Sequence, residues 1–471
     1  MVHQVEILRL DVEGDGVAVV DGAEVRVPYV IPGERVELRV TGRGRDVEVL
    51  RILTPSRHRV TPKCRHFGPC GGCAWQHIAY PEQLRLKQEI LQSLLDEPLR
   101  RNARAVLPTL PTPPGPGRLG EPALPVGEGR TSTPWAYRNK VHFVLGPAPR
   151  GRSLQLGHYR RRSRTVIPVV ECPVHAEHGN RVAFALRDAL ERAKIPGTTG
   201  DAADGVARHV VVRAVEACDD WLATLVVTEN VKPLRRVTAD FVRGQREVRA
   251  KWGLYLNVHD RPGPYLFGRE TRHLAGVREV REHVAGISYV ISPTSFFQTN
   301  VRAARVLVSE VLDAVVTAAS VRLLDLYAGV GLFALPLARD GRQVTAVEEN
   351  REAMAAALAA ARENKIPDGT FRALPMPVEE ALPRLTPRTE AQAWDAVILD
   401  PPREGCPPVV LDWLFDAARP RRVVYVSCNP EALARDLRYA PAADYVITRV
   451  QPVDMFPHTA HIETVVVMDR R

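Results

Sequence analysis

The chain is 471 residues and 52.2 kDa, with 45% apolar, 25% charged and 6% aromatic residues. That mix excludes wholesale disorder and fibrous repeats, and the length accommodates about two to four domains. Lys+Arg 64 against Asp+Glu 55 leaves +9, nearly all of the cations arginine; a planar guanidinium meets phosphate bidentately, so a phosphate-rich partner fits. The opening Met1-Val2-His3-Gln4-Val5-Glu6 lacks a basic segment followed by an apolar run. The most apolar stretch, 323–338, carries Asp325, Gly329, Gly331 and Pro336 and falls short of the ~20 apolar residues of a spanning helix. These features predict a cytoplasmic protein with no membrane contact. Seven cysteines, an odd number, favour metal binding or catalysis over disulfides.

Residues 1–60 alternate apolar and polar positions, punctuated by Asp15-Gly16, Asp21-Gly22 and Pro32-Gly33. This predicts a small antiparallel β-barrel of about five strands, a shape often used on RNA. Helical spacing follows over 81–101, carried by Leu84, Ile90, Leu91, Leu94 and Leu95. The Pro/Gly density of 108–134 sustains neither helix nor ladder and reads as a loop or disordered insertion. Between Trp135 and Thr165 the basic residues Arg138, Lys140, Arg150, Arg152, Arg160, Arg161, Arg162 and Arg164 interleave with Trp135, Tyr137, Phe143 and Tyr159, with no acid among them. Guanidinium groups for phosphates and rings for unpaired bases are the means of single-stranded RNA recognition. Strands are expected near 141–145, 209–215, 222–227 and 254–258. From 286 onward strands near 321–326, 343–347, 396–399 and 423–426 alternate with helix-length segments, the pattern of a doubly wound parallel sheet. The reading is a multidomain α/β protein: a barrel over 1–60, a β-rich central domain over 61–285 that contains the insertion, and a Rossmann-like domain over 286–471.

Several places carry chemistry. Cys64-Arg65-His66-Phe67-Gly68-Pro69-Cys70-Gly71-Gly72-Cys73 groups three thiols with glycines that let the backbone wrap an ion, and Cys172 beside Pro173 is the best fourth donor. Such a set suits Zn²⁺ or an iron–sulfur cluster, and spacing does not decide between them. Leu324-Asp325-Leu326-Tyr327-Ala328-Gly329-Val330-Gly331 joins a strand to a helix, with Glu348 ending the next strand. Its glycines permit close approach of a nucleotide-like ligand, and an acid at the next strand end can hold ribose hydroxyls. The early Asp325 and the missing third glycine favour S-adenosylmethionine over NAD. Leu399-Asp400-Pro401-Pro402-Arg403 makes a rigid turn that holds Asp400 at a strand's carboxyl end. Val426-Ser427-Cys428-Asn429-Pro430 puts a cysteine at the tip of a further strand, and Glu463, with His458 and His461, offers a base to a nucleophile there. Cys218 and Cys406 read as core or incidental.

Together with Tyr137-Arg138-Asn139-Lys140, Ser295-Phe296-Phe297-Gln298 and Phe456-Pro457-His458-Thr459-Ala460-His461-Ile462-Glu463, these motifs resemble the RNA uracil-5-methyltransferase family over nearly the whole chain. The resemblance implies a TRAM-like barrel, Cys428 as nucleophile, Glu463 as base, and S-adenosylmethionine contacts from Gln298, Tyr327, Glu348 and Asp400. It also implies a [4Fe–4S] cluster on Cys64, Cys70, Cys73 and Cys172, with zinc as the alternative occupant. The product would be 5-methyluridine (m5U). Barrel and cysteines resemble the branch acting on 23S ribosomal RNA, making that the expected partner of a monomeric enzyme. A tRNA T-loop enzyme is the alternative. A cytosine-5 enzyme fits less well, because Pro402 stands where those enzymes carry a second cysteine. A non-catalytic RNA-binding iron–sulfur protein leaves Cys428 unexplained. Ala328 replaces the family's usual cysteine and Ala432 its usual threonine.

Overall fold

A computed structural model describes residues 2–41, 46–99, 106–115, 134–148, 153–198, 205–245, 247–261, 266–316, 321–389, 393–442 and 444–471. The N-terminal unit has six strands rather than five, in two three-stranded sheets. Val2–Glu6, Arg35–Thr41 and Asp46–Thr54 form one; Arg9–Leu10, Gly16–Val20 and Ala23–Val27 form the other. Asp21 and Gly22 join the last two strands with φ of 51° and 81°, the left-handed pair that a two-residue hairpin loop requires. Ile7, Ala18, Val27, Val36 and Leu38 fill the space between the sheets.

The unit docks through the arginine run expected to meet RNA. Arg161 holds both oxygens of Asp15 at 2.6 and 2.7 Å, and Arg162 holds Glu13 at 2.7 Å. Tyr137 and Phe143, expected as stacking rings, are instead core residues. Part of that apparently free basic and aromatic surface is therefore internal mortar. Arg150 and Arg152 lie outside the described residues.

The helix Tyr80–Leu99 follows the expected spacing and buries Leu86, Ile90, Leu91, Leu95 and Leu99 against the C-terminal sheet. Residues 106–115, the start of the expected insertion included, are extended along the strand Tyr445–Val453. Leu107 N donates to Val450 O at 3.0 Å, Leu110 N to Pro452 O at 2.9 Å, and Asp454 N to Leu110 O at 2.8 Å. The ladder is possible because the prolines leave these particular amides free to donate. The remainder of the insertion lies outside the described residues.

The central domain is a seven-stranded sheet in the order Glu270–Gly276, Trp252–Val258, Trp221–Val227, Ala207–Ala214, Lys140–Gly146, Gln155–Tyr159, Val166–Pro168. Helices Glu177–Arg192 and Leu234–Gly244 contribute to the core on one face. A hairpin, Val280–Val284 with Ile287–Ile291, then packs Val280, Ile287 and Tyr289 into the C-terminal core. Residue 286, where the sequence puts a domain start, lies in its turn.

The C-terminal sheet runs Phe371–Leu374, Gln343–Val347, Arg322–Leu326, Ala396–Leu399, Arg422–Ser427, Glu463–Arg470, Tyr445–Val453. The first five strands are parallel, and apart from the edge strand Phe371–Leu374 their near-continuous apolar runs are buried on both faces. Glu463–Arg470 runs antiparallel to its neighbours on both sides. That reversal is absent from the expected parallel pattern, and it brings the beginning of the last strand to the edge where the parallel strands end.

Candidate active site and cysteine cavity

Tyr327, Glu348, Asp400 and Cys428 each follow a parallel strand directly, so they share the carboxyl edge of the sheet. Glu463 joins them because its strand is reversed, with Ser427 paired to Thr464. The loop after Leu326 turns on left-handed residues, Tyr327 at φ 63°, Gly329 at 55° and Gly331 at 79°. A Cβ on Gly331 would meet Leu335 Cγ at 2.9 Å, so glycine is needed there for space as well as for φ. Glu348 accepts from Gly329 N at 2.9 Å and from Asn350 N at 2.8 Å. Its carboxylate thus shapes the glycine loop, and each oxygen keeps lone-pair capacity for a further donor.

Gln298 sits half-buried, two residues before Asn300, whose side chain caps the helix Val301–Val315. Its segment is tied to the glycine loop: Phe297 packs on Tyr289 at 5.4 Å between ring centroids, and Tyr289 Oη donates to Gly331 O and Leu332 O at 3.3 Å. Beside it Phe296 is 71% exposed, the most exposed large apolar side chain described. Exposing such a ring forgoes burial worth about 1.5–3 kcal/mol.

Ser-Cys-Asn-Pro is a positioning device. Asn429 caps the helix Pro430–Asp436 with its side-chain oxygen, and its Nδ2 donates to Arg403 O at 2.8 Å, tying the cysteine turn to the Asp-Pro-Pro-Arg turn. Cys428 is half-buried, and its thiol is pushed up to about 11, first by burial, then by the charges of Glu463 and Asp400, with Arg403 opposing. Burial raises Asp400 to about 7. Glu463 is raised well above the usual carboxylate range by burial and then by Asp400. Asp325 is fully buried, is raised by burial, Asp400 and Glu348, and leaves both oxygens without a hydrogen-bond partner. Tyr327 Oη is also unpartnered. This is a crevice of crowded carboxyls whose natural complement is a cation.

Residues outside the expected set hold Glu463 in place. Lys87, fully buried, donates to Asp454 Oδ1 at 2.6 Å, His461 O at 2.7 Å and Phe456 O at 3.2 Å. Tyr80 Oη donates to Asp454 Oδ2 at 2.8 Å, and Tyr137 Oη to Pro457 O at 2.9 Å. His458, strained at φ 67°, accepts on its carbonyl from Ala74 N at 3.0 Å and Trp75 N at 2.9 Å, the residues just after Cys73. The sequence signal for Lys87 was a lysine on the apolar stripe of its helix, in a chain whose cations are nearly all arginine.

Cys64, Cys70, Cys73 and Cys172 line one cavity of about 100 Å³, together with His66, Arg138, His158 and His175. Gly71 is forced, since a Cβ there would meet Arg161 N at 2.8 Å, and Gly72 N donates to Cys70 Sγ at 3.4 Å. Burial pushes Cys73 and Cys172 up to about 12 and raises Cys64 and Cys70 as well. Among the described residues, the three donors that crowd within 4.8 Å of one another are His158, Cys172 and His175 rather than three of the cysteines. Cys406 is buried and Cys218 exposed.

The model of the tRNA (Uracil-5-)-methyltransferase family matches residues 279–471. Uncharacterised RNA methyltransferases of Synechocystis and Gloeobacter violaceus are 32% and 34% identical to this chain, each over 99% of it and over 95% and 96% of their own length. The chain belongs to the RNA uracil-5-methyltransferase family. The solved structure of the Pyrococcus abyssi tRNA (uracil-54, C5)-methyltransferase in complex with S-adenosyl-L-homocysteine superposes with a TM-score of 0.73 at 25% identity, covering 99% of each chain. The family match begins at the foot of the hairpin Val280–Val284/Ile287–Ile291, which accords with that hairpin's packing into the C-terminal core. No described helix is long and apolar enough to cross a membrane.

Proposed function

We propose that this enzyme methylates C5 of a ribosomal RNA uridine with S-adenosylmethionine as donor, using Cys428 as nucleophile and Glu463 as base. The observation that carries the reading is the reversed last strand, which sets a buried carboxyl beside Cys428 at the sheet's carboxyl edge. Gln298, Tyr327, Glu348 and Asp400 are the residues we assign to the donor. The unpartnered Tyr327 Oη and Asp325 oxygens and the surplus of carboxyls suit a ligand with an ammonium and a sulfonium.

Uracil C5 is too weak a nucleophile to take a methyl group unaided. The Cys428 thiol gives up its proton to water, the thiolate Sγ adds to C6, and the C5=C6 electron pair moves to an enolate across C4 and C5. C5 then takes the methyl group that S-adenosylmethionine supplies as an electrophile, and S-adenosylhomocysteine departs. Glu463 accepts the C5 proton, and the pair left behind expels Sγ from C6, giving m5U. A uridine must leave its stack to reach this edge, at a cost of a few kcal/mol, which favours loop substrates; the exposed Phe296 ring offers a face for a displaced base.

Cys64, Cys70, Cys73 and Cys172 are the residues we assign to a [4Fe–4S] cluster. The four cysteines line one cavity, and the amide donated to Cys70 Sγ suits a sulfur that carries cluster charge. No step of methyl transfer passes through it.

The second reading, a tRNA substrate, is favoured by the likeness to the Pyrococcus abyssi enzyme, which spans the barrel and cysteine regions as well as the catalytic sheet. RNA tritiated at uridine C5 separates the two. Tritium release from ribosomal fragments, lost in Cys428→Ala, is expected. Release from tRNA transcripts alone moves the substrate to tRNA, and release from neither removes uracil C5 as the target.

A further inference from the structure

Lys140 and Arg213 stand directly opposite each other on neighbouring antiparallel strands. Like charges in that position repel, and sheets ordinarily avoid them. Among the described residues neither cation finds a carboxylate. Arg213 is buried; its two terminal nitrogens donate to the carbonyls of Ser295 and Phe297, and its Nε has no partner. Lys140 is half-buried, with Nζ over the Phe267 ring at 5.6 Å from its centroid. The charges acting on it are those of Arg213 and Arg138, both positive, and burial with this repulsion lowers its ammonium to about 8.

The pair lies beside the Phe296 loop, where the proposed reaction seats the target base. Asn139 N donates to Thr299 O at 2.7 Å, and Arg213 fixes the backbone on both sides of Phe296. The opposite face of these strands, carrying Val141, Phe143, Val210 and Val212, belongs to the core beneath the helices. The charged face therefore looks away from the helices, towards the Ser-Phe-Phe-Gln loop.

We propose that Lys140, backed by Arg213, seats a backbone phosphate of the substrate RNA next to the uridine presented at Phe296. The inference rests on the assignment of the catalytic edge for the phosphate's place in the reaction, but not for its binding. The pair is costly in the free protein, and an anion turns repulsion between two desolvated cations into attraction by both. Arg213 contributes through its field and through the loop it clamps, while Lys140 makes the contact.

The test measures binding of single-stranded oligouridylate, a sequence-independent phosphate probe, by fluorescence anisotropy over a series of salt concentrations. Lys140→Gln is expected to weaken binding about tenfold at low salt. It should also lower the slope of log affinity against log salt by about 0.7, the loss of one phosphate contact on a single strand. Lys140→Arg should retain both. Because the substitution removes a like-charge pair, Tm should hold or rise and S-adenosylhomocysteine affinity should not change. An unchanged dissociation constant and salt slope in Lys140→Gln overturns the phosphate seat, as does a fall in Tm with a parallel loss of S-adenosylhomocysteine binding, which marks a structural role. Should the wild type bind oligouridylate through Lys140 yet release no tritium from any RNA, the seat stands and the catalytic assignment falls.

Discussion

The crevice at the sheet edge and the cysteine cavity are both buried collections of acidic groups whose proton affinities are raised, and they are built in different ways. In the crevice, Asp325, Asp400, Glu463 and Cys428 arrive from separate strands; burial raises all four, and neighbouring carboxyl charges add to it for Asp325, Glu463 and Cys428. In the cavity, three thiols come from one short loop, burial is the leading cause of every shift, and Arg138 with buried histidines stands among them. Burial leads in both regions and neighbouring charges add to it in both, carboxyls in the crevice and thiols in the cavity. Carboxyls gathered from several strand ends suit a cation that comes and goes, and thiols gathered by one loop suit a cation that stays. The two meet at His458, whose carbonyl takes the Ala74 and Trp75 amides from the cysteine loop while its own segment leads to Glu463.

The largest effects should come from silencing one region at a time. Glu463→Gln should cut m5U formation by about 10²–10⁴-fold and accumulate a covalent RNA–protein adduct on denaturing gels, because addition and methyl transfer precede the proton's removal. An absent adduct excludes Glu463 as the base. Cys73→Ala should abolish iron retention, read by absorbance and iron content after anaerobic purification, while S-adenosylhomocysteine affinity persists; loss of both together would mean the regions are one cooperative unit.

Lys87→Met tests the connection between them. Removing one partner of a fully buried ion pair leaves Asp454 uncompensated and should cost about 3–5 kcal/mol. Chemical denaturation would show it as a lowered midpoint. The same variant should slow release of the adduct more than its formation, since His461 O and Phe456 O lose their donor just ahead of Glu463.

How much of this was legible in the sequence divides along the same line. Strand-end residues such as Asp400 and Cys428 are found from motif and period, because each follows an apolar run at a turn. The direction of the last strand is not. Val465, Val466 and Val467 are buried whichever way they run, so the reversal that delivers Glu463 leaves no trace in the pattern. The cysteine set was visible in its spacing, and His175 is only three residues beyond Cys172, whereas His158 beside them depends on the pairing of its strand with Val166–Pro168. Two members of the arginine run looked free for a related reason: Asp15 and Glu13, which pair with Arg161 and Arg162, lie in another unit of the chain. Charge read locally looks free when its partner is distant.

Smaller effects sharpen the contrast between a transient and a resident cation. A thiol at about 11 should alkylate with iodoacetamide at a rate that climbs with pH towards that midpoint in the ligand-free enzyme. S-adenosylmethionine carries a sulfonium and S-adenosylhomocysteine does not. If carboxyl repulsion keeps Cys428 protonated, the sulfonium should offset it, and one unit of lowering would raise reactivity at pH 8 about tenfold. Equal rates with the two ligands would mean that burial alone sets the thiol.

The smallest expected effect is at Arg161, whose bidentate pair with Asp15 fastens the N-terminal unit next to the cysteine loop. The guanidinium is partly exposed, so solvent screening limits its contribution, and Arg161→Gln should cost about 1 kcal/mol in denaturation. Gly71 packs on the Arg161 backbone rather than its side chain, so iron content should survive the substitution. Weaker RNA affinity with iron and S-adenosylhomocysteine binding intact would show that the arginine run serves RNA indirectly, by fixing the β unit beside the crevice. Loss of iron instead would extend the cavity's support beyond the central domain to the unit docked on it.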